Sequence, residues 1–307
     1  IGGHDIKKAG IGIEIKNPIY LSITNNVITD TTDVSISVAG RGDGVNINAN
    51  SIYNAADKSC LLRIENGEQL YENRAVNITA NTFHNNGHNN GGDHARSYIQ
   101  GGSVGVLSVN SNHFYNTYMD MATASVRSTV INGNQMVFEG VYEQVITAIK
   151  AGKTGDKGQL MIQNNHITAT DGTSGASVGI LAVQDDAAYS APSYLRNNSV
   201  RGFPVSIQTL ADSTNPQVKP FFLIKGNYFG GIFLREEGHT QSSVVALEEN
   251  HSVQTGGHFP STIPTEGKWE KGQIIYFDQP KPGEYVGAVC IAKGSPGIWK
   301  LFGQIEE

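Results

Sequence analysis

A short pattern of hydrophobic and polar positions recurs nine times along the chain. An apolar residue is followed by two positions of any kind, an asparagine, one further position and a second apolar residue, as in Ile-Thr-Asn-Asn-Val-Ile at 23–28. The ninth copy has Ser252 in place of the second apolar residue. Such a period is typical of stacked-repeat proteins, in which each unit buries its apolar face against its neighbours. The asparagines, 22 to 33 residues apart, are Asn26, Asn50, Asn81, Asn112, Asn134, Asn165, Asn198, Asn227 and Asn250.

The residues on either side of each asparagine predict strands that meet at a bend. Apolar residues lie two apart on both sides, which is the period of a strand and not of a helix. Asparagine tolerates the left-handed backbone conformations found in bends. If each repeat is one coil of a parallel β-helix, the asparagines lie above one another at the strand spacing of roughly 4.8 Å, and each amide bonds the next. We therefore predict an all-β solenoid, a parallel β-helix with an asparagine ladder.

A second stack of strands lies between successive asparagines. Its predicted members are 34–38, 60–65, 95–100, 118–122, 145–149, 178–183, 205–210 and 232–234. Successive side chains of a strand point to opposite faces, so alternation assigns an inner and an outer set. In the second member the inner set is Cys60, Leu62 and Ile64. The outer set of three neighbouring members contains Arg63, Glu65, Arg96, Tyr98, Gln100, Tyr118 and Asp120.

The repeat ends near residue 253, and the remainder of the chain has a different pattern. We predict a β-helix domain at 1–255, a linker rich in Gly, Pro and Thr at 256–265, and a small β module at 266–307. The module has strand-like segments at 269, 273–277, 285–292 and 298–302. The open end of a stack needs a cover, since an exposed sheet end promotes aggregation.

Composition narrows the class of protein. The chain has 307 residues, 36 glycines and 16% charged residues, as expected of strands and turns. Its net charge of −6 argues against nucleic acid as a partner, because phosphate binding requires a basic face. The two cysteines indicate no disulfide framework, and no apolar stretch has the length of a membrane helix, so we expect no membrane insertion. Because strand-like residues begin almost at Ile1, we expect that an N-terminal region has been removed.

The C-terminal segments resemble a known module. They read Trp-Glu-Lys-Gly-Gln-Ile-Ile-Tyr at 269–276, Gly-Ala-Val-Cys at 287–290 and Gly-Ser-Pro-Gly-Ile-Trp-Lys-Leu-Phe-Gly at 294–303. This is similar to a small module that follows pectate-lyase-like right-handed parallel β-helices in bacteriophage tailspikes. The resemblance implies a homotrimer on the virion tail, joined through an N-terminal region. It would be assembled in the host cytoplasm and would act at the host surface.

The same resemblance implies a ligand and an activity. Tailspikes of this kind bind capsule, exopolysaccharide or O-antigen of a bacterial host, and many depolymerise it. Their catalytic residues vary, so no catalytic position carries over to this sequence. No cofactor and no metal are expected.

The outer set of the second stack supplies the candidate chemistry. Glycoside hydrolysis uses two carboxylic acids, about 5 Å apart in retaining and about 6.5–9.5 Å apart in inverting enzymes. Carboxylates one or two coils apart bracket these separations, at roughly 5 and 10 Å. Arginine suits an acidic sugar and tyrosine offers a flat apolar face with a hydroxyl. We predict catalytic roles for Glu65, Asp120 and Asp93, and substrate-binding roles for Arg63, His94, Arg96, Tyr98 and Tyr118.

Other interpretations remain open at this point. The charged residues of the cluster would also fit solvated ion pairs between coils, and Glu139 would fit a solvated edge. A polysaccharide lyase would use His94 as base and Arg96 to neutralise the substrate carboxylate. The same surface would serve a non-catalytic glycan-binding adhesin, or a secreted monomeric enzyme of the pectate-lyase type.

Overall fold

The computed structural model describes most of the chain. The described residues form strands and contain no helix. They are 1–40, 44–54, 60–64, 75–85, 97–100, 105–121, 128–139, 145–153, 159–170, 177–185, 192–212, 221–230, 232–237, 244–252, 262–265, 269, 271–277 and 280–306.

Three parallel sheets contain the strands up to residue 252, numbered in chain order. The first sheet contains β1 (Asp5–Lys7), β4 (Val27–Thr29), β7 (Ser51–Asn54), β10 (Thr82–Asn85), β13 (His113–Tyr115), β16 (Gln135–Phe138), β19 (His166–Ala169), β22 (Ser199–Arg201), β25 (Tyr228–Phe229) and β28 (His251–Ser252). The second contains β2 (Ile11–Lys16), β5 (Val34–Ala39), β8 (Cys60–Ile64), β11 (Ser97–Gln100), β14 (Thr117–Met121), β17 (Thr147–Lys153), β20 (Val178–Asp185), β23 (Val205–Asp212) and β26 (Ile232–Glu237). The third contains β3 (Ser22–Thr24), β6 (Val45–Asn48), β9 (Ala75–Thr79), β12 (Val106–Asn110), β15 (Ser128–Asn132), β18 (Gln159–Gln163), β21 (Ser193–Arg196), β24 (Phe221–Lys225) and β27 (Val244–Glu248).

Successive strands pass to the first, second and third sheets in turn. Each strand pairs in parallel with the strand three places further along the chain, and we call three successive strands a repeat. The all-β, parallel character predicted from the sequence is confirmed, and the order of the strands is consistent with a β-helix. The second sheet corresponds to the predicted second stack, with an additional strand, β2, at its start.

Three columns of apolar side chains form the core, one on the inner face of each sheet. Each column has one member per strand at a fixed register position, except that β28 has Ser252 in place of an apolar residue. In the first sheet it is Ile6, Ile28, Ile52, Phe83, Phe114, Met136, Ile167, Val200 and Phe229. In the second it is Ile13, Ile36, Leu62, Ile99, Met119, Ile149, Ile180, Ile207 and Leu234. In the third it is Ile23, Ile47, Ile78, Val109, Ile131, Ile162, Leu195, Ile224 and Leu247.

The predicted asparagine ladder is present at the bend between the third and first sheets. Each side-chain amide from Asn26 to Asn227 donates to the Oδ1 of the next ladder asparagine, at 2.9–3.0 Å. The backbone N–H groups of the same residues donate to the same oxygens, so each Oδ1 accepts twice. The ladder thereby satisfies buried polar groups at every bend, as burial requires.

The backbone explanation given for these asparagines is wrong. The left-handed residue of each bend is the one before the ladder asparagine, with φ between 50° and 66°. These residues are Asn25, Ala49, Ala80, Ser111, Gly133, Asn164, Asn197, Gly226 and Glu249. Asparagine is therefore required at the next position for its side-chain hydrogen bonds and not for its backbone conformation.

A three-stranded antiparallel sheet follows the parallel sheets. It consists of β29 (Ile274–Tyr276), β30 (Tyr285–Ala292) and β31 (Ile298–Gln304), close to the strands predicted there. Trp269 is fully buried, with its ring centroid 4.9 Å from that of Trp299 and 6.5 Å from that of Phe229. Since Phe229 is the last member of its core column, Trp269 packs over the end of that column.

Candidate functional site

The predicted outer residues of β14 lie where alternation placed them. Met119 and Met121 are fully buried, whereas Tyr118 and Asp120 are half-buried on the outer face. Tyr118 also packs partly against the core. The outer orientation of Tyr118 and Asp120 is therefore confirmed.

The strand β8 follows the prediction with one irregularity. Cys60, Leu62 and Ile64 are buried and Arg63 is half-buried on the outer face, as predicted. Leu61 is also buried, because the pairing passes from Cys60 directly to Leu62 opposite consecutive residues of β11. Such a bulge adds one residue to a strand and locally breaks the alternation of faces.

One register position of the second sheet brings the polar residues into a column, which we call the charged column. Asp120 is aligned with Gln100 on one side and Lys150 on the other, and Arg63 is aligned with Gln100. Arg63 and Asp120 are therefore two strand spacings apart, roughly 10 Å. The column comprises Glu14, Ser37, Arg63, Gln100, Asp120, Lys150, Leu181, Gln208 and Arg235.

Asp120 has a cationic partner in this column. The Lys150 Nζ lies 3.4 Å from the Asp120 Oδ2, and 25% of the Asp120 side chain is exposed. Arg63 lies 3.8 Å from Asp33, a longer and more exposed contact. Lys150 was not among the site residues predicted from the sequence, because the predicted strand ended at Ile149. Continuing the alternation by one residue would have placed Lys150 on the outer face.

A small cavity lies beside the Asp120–Lys150 pair. Its volume is about 180 Å³, below the roughly 300–1,000 Å³ of pockets that enclose a whole small molecule. The cavity therefore suits one part of an extended ligand that lies along the surface. It is lined by Tyr118, Asp120, Val145, Ile146, Thr147 and Lys150.

The corner between the first and second sheets is unusually short at this repeat. Asn116 is the single residue between β13 and β14, with φ at 48°. Its Oδ1 accepts a hydrogen bond from the backbone N–H of Glu139 at 2.8 Å. The Glu139 Oε2 accepts a hydrogen bond of 2.5 Å from the Tyr115 hydroxyl. Glu139 is thus a half-buried, bonded carboxylate rather than a solvated edge.

The Glu139 carboxylate strongly affects the pKa of the Tyr115 hydroxyl. Its hydrogen bond to Glu139 raises the pKa of Tyr115 to about 12, and burial and the negative charge of Glu139 act in the same direction. The pair therefore keeps its proton on the tyrosine across the neutral range.

The positions of four predicted site residues remain predictions, because these residues lie outside the part of the chain that the structure describes. Glu65, Asp93, His94 and Arg96 lie outside the described residues. Tyr98 is described by its backbone, which pairs with Tyr118 of the next strand. Of the predicted site residues in the described part of the chain, Arg63, Tyr118 and Asp120 are thus brought to one face of one sheet.

Within the described ranges, no group of three or more His, Cys, Asp or Glu side chains is placed to hold a metal ion. The part of the chain that the structure describes has no helix that is long and apolar enough to cross a membrane. Comparisons of the chain with protein-family models, with curated proteins and with solved structures found no match.

Proposed function

We propose that this chain binds a bacterial surface polysaccharide along the outer face of its second sheet and cleaves it by glycosidic hydrolysis. In this proposal it is the β-helix of a homotrimeric bacteriophage tailspike, attached to the virion tail and acting at the host surface. The observation that carries the proposal is a half-buried carboxylate, Asp120, paired with Lys150 beside Tyr118 at a surface cavity.

The proposed fold is a right-handed parallel β-helix. Strands that return to the same sheet every third element support a solenoid. Connections between parallel strands of one sheet are right-handed in almost all proteins, which supports the hand. Apolar side chains on the C-terminal sheet support a subunit contact, since Ile274, Tyr276 and Ile298 are 42%, 47% and 62% exposed.

The roles of the residues follow from their chemistry. The Lys150 Nζ, 3.4 Å from the Asp120 Oδ2, holds this carboxylate in position beside Tyr118, so Asp120 suits the base or the nucleophile of the reaction. Tyr118 offers a partly exposed ring to a sugar, and Arg63 offers a planar pair of donors to an acidic sugar about two strand spacings away. The acid of the reaction would be Glu65 or Asp93, as predicted from the sequence.

A second candidate function is a glycan-binding adhesin without catalysis. The observation that favours it is that Asp120 is the one carboxylate among the described residues lining the cavity, and Lys150 neutralises it. Hydrolysis requires a second carboxyl group, whereas binding does not.

One experiment separates these functions. Purified protein is spotted on lawns of encapsulated bacteria, and the polysaccharide extracted from each of these strains is incubated with the protein. New reducing ends without ultraviolet absorbance of an unsaturated uronic acid indicate a hydrolase, whereas the absorbance indicates a lyase. Polysaccharide that binds without either signal indicates an adhesin. A protein that clears no lawn and binds no extracted polysaccharide contradicts the proposal.

The variant Asp120→Asn tests the residue itself. We expect turnover to fall at least about 100-fold with binding within about threefold, as for loss of a group that acts in the reaction. Asp5→Asn is the matched control, because Asp5 forms a 2.9 Å ion pair with Lys7 on the first sheet, away from the cavity. Full turnover in Asp120→Asn would remove Asp120 from the reaction.

A further inference from the structure

A row of aromatic side chains lies on the outer face of the first sheet, and the proposed reaction does not use it. Tyr53, His84 and Tyr115 occupy the same register position on β7, β10 and β13. The ring centroids of Tyr53 and His84 are 5.5 Å apart, and those of His84 and Tyr115 are 4.3 Å apart. All three side chains are half-buried, so part of each remains accessible to solvent. We call these residues, with Glu139, the aromatic row.

The row is an addition to the core and not a part of it. The neighbouring residues Phe83 and Phe114 point inward and are fully buried, with their rings stacked at 5.0 Å and 8°. They fill the interior of these repeats without help from the outer face. The outer rings are therefore not needed to fill the interior, and the core packing does not account for them.

The end of the row is fixed at the short corner. The Tyr115 hydroxyl donates to the Glu139 carboxylate, and the Glu139 backbone is held by Asn116. Because Asn116 alone separates β13 from β14, Tyr115 and Tyr118 flank the corner on two faces. A chain lying along the row runs across the strands, so it would turn at Tyr115 and follow the strand direction over Asn116 to reach the cavity at Asp120.

The chemistry of the row indicates the kind of ligand. The row carries the Tyr53 hydroxyl, the His84 ring and the Tyr115–Glu139 pair as hydrogen-bonding groups. They recur at about the strand spacing of 4.8 Å, comparable with the length of one sugar unit. The carboxylate of Glu139 repels an acidic sugar and accepts from a hydroxyl, whereas Arg63 and Lys150 on the second sheet attract acidic sugars.

We propose that Tyr53, His84, Tyr115 and Glu139 form a second carbohydrate subsite, which holds an uncharged, hydroxyl-rich stretch of the polysaccharide and directs its next sugars to the cavity at Asp120. The proposal rests on the proposed function, because the ligand is the same polysaccharide. It adds that this polysaccharide contains neutral sugars next to those bound by the charged column.

The test compares variants of the row with a matched aromatic residue elsewhere. Tyr53→Ala, Tyr53→Phe and Tyr115→Phe alter the row, and Tyr194→Ala is the control. Tyr194 is a half-buried outward ring of the third sheet, packed against the Arg196 guanidinium 4.4 Å from its centroid. Binding is measured by affinity electrophoresis in gels that contain the polysaccharide extracted from each of the encapsulated strains. Thermal unfolding of each variant shows that it is folded.

Each row variant is expected to raise the Kd about three- to tenfold, as for loss of one hydrogen bond to a ligand, and Tyr194→Ala is expected to stay within about twofold. Equal binding by wild type and the three row variants overturns the subsite, whatever the turnover. Binding that is lost in the row variants supports it even if the wild-type protein cleaves nothing, a result that refutes hydrolysis alone. No binding by the wild-type protein overturns both proposals.

Chemical reduction of the uronic acids tests the class of sugar. With the carboxyl-reduced polysaccharide as probe, the effect of Tyr53→Ala should persist at about three- to tenfold. The effect of Arg63→Ala should shrink, because its acidic partner is gone. Loss of the Tyr53→Ala effect on reduction would show that the row holds an acidic sugar, and would overturn the assignment.

Discussion

Inside the stacked sheets, each register position keeps one kind of residue from repeat to repeat, whereas the outer positions of the same strands change. The strand β14 shows both in five residues, since Met119 continues an apolar column while Asp120 lies between Gln100 and Lys150 in a column of mixed chemistry. The inner residues are dictated by stacking. The outer residues are not required by the fold, so they are where an activity can be placed without cost to it.

The energetic reason is that water can hydrate a polar group that loses its partner on the outer face of a sheet but not on the inner face. A buried amide or carbonyl that loses its partner keeps the full cost of its removal from water, and a deleted core side chain leaves a cavity. An exposed group that loses its partner is solvated instead, so an ion pair at the surface contributes at most about 1 kcal/mol. Substitutions on neighbouring residues of one strand should therefore differ several-fold in their effect on stability.

The largest difference is expected between Phe114 and the residue that follows it. Phe114→Ala removes a fully buried ring that stacks on Phe83, and should lower the free energy of unfolding by about 3–5 kcal/mol. Tyr115→Ala, on the outer face of the same strand, should lower it by no more than about 1 kcal/mol. Urea unfolding followed by circular dichroism measures both. Equal losses would mean that the outer ring is part of the folding core.

The asparagine ladder gives a smaller contrast of the same kind. Asn112→Ala removes the partner of two donors on Asn81 and leaves the carbonyl of Ile78 without its amide, so the free energy of unfolding should fall by about 3 kcal/mol. Asn77→Ala removes an amide that donates to Asn46 at the surface, at 3.0 Å, and should change it by about 0.5 kcal/mol or less. A similar small change in both would show that water replaces the buried bonds.

The sequence predicted the inner face well because the same register positions are buried in every repeat. Local sequence patterns predicted the asparagine ladder, the alternation around Asp120 and the strands of the C-terminal sheet. They did not predict the left-handed backbone of the residue before each ladder asparagine, because the side chains of Ala49, Ser111 and Glu249 do not favour that conformation. It is imposed by the bend between two sheets.

The outer face was only partly predictable because its contacts join different repeats. The pairs Asp120–Lys150 and Tyr115–Glu139 are 30 and 24 residues apart, and which residues meet depends on the register and on the exact strand ends. A bulge such as that at Leu61 shifts the alternation without a sign in the sequence. The candidate residues could therefore be assigned to a face, but their partners could not be named.

The ion pair at the cavity should matter for function and little for stability. Lys150→Met is expected to lower turnover at least about tenfold, because Asp120 loses the charge that holds it, while the free energy of unfolding changes by less than about 1 kcal/mol. Lys225→Met is the matched control, since Lys225 pairs with Glu248 at 3.1 Å on the outer face of the third sheet. The two variants should be equally stable, and turnover should distinguish them. Equal turnover would reduce the Asp120–Lys150 pair to a surface ion pair.

An effect confined to high pH is expected from the proton of Tyr115. With the pKa of Tyr115 raised to about 12 by Glu139, against about 10 for an unfolded tyrosine, the folded state holds this proton more tightly. The stability that it contributes is therefore complete below about pH 10 and is lost as the pH rises from about 10 to about 12. Phenolate absorbance, titrated in the wild type and in Tyr115→Phe, isolates this residue among the 12 tyrosines as the difference between the curves. Removal of the carboxylate in Glu139→Gln should lower the pKa of Tyr115 toward 10. A difference curve that already titrates near pH 10 in the wild-type protein would show that the Tyr115–Glu139 bond is not kept in solution, and with it the fixed end of the aromatic row would be lost.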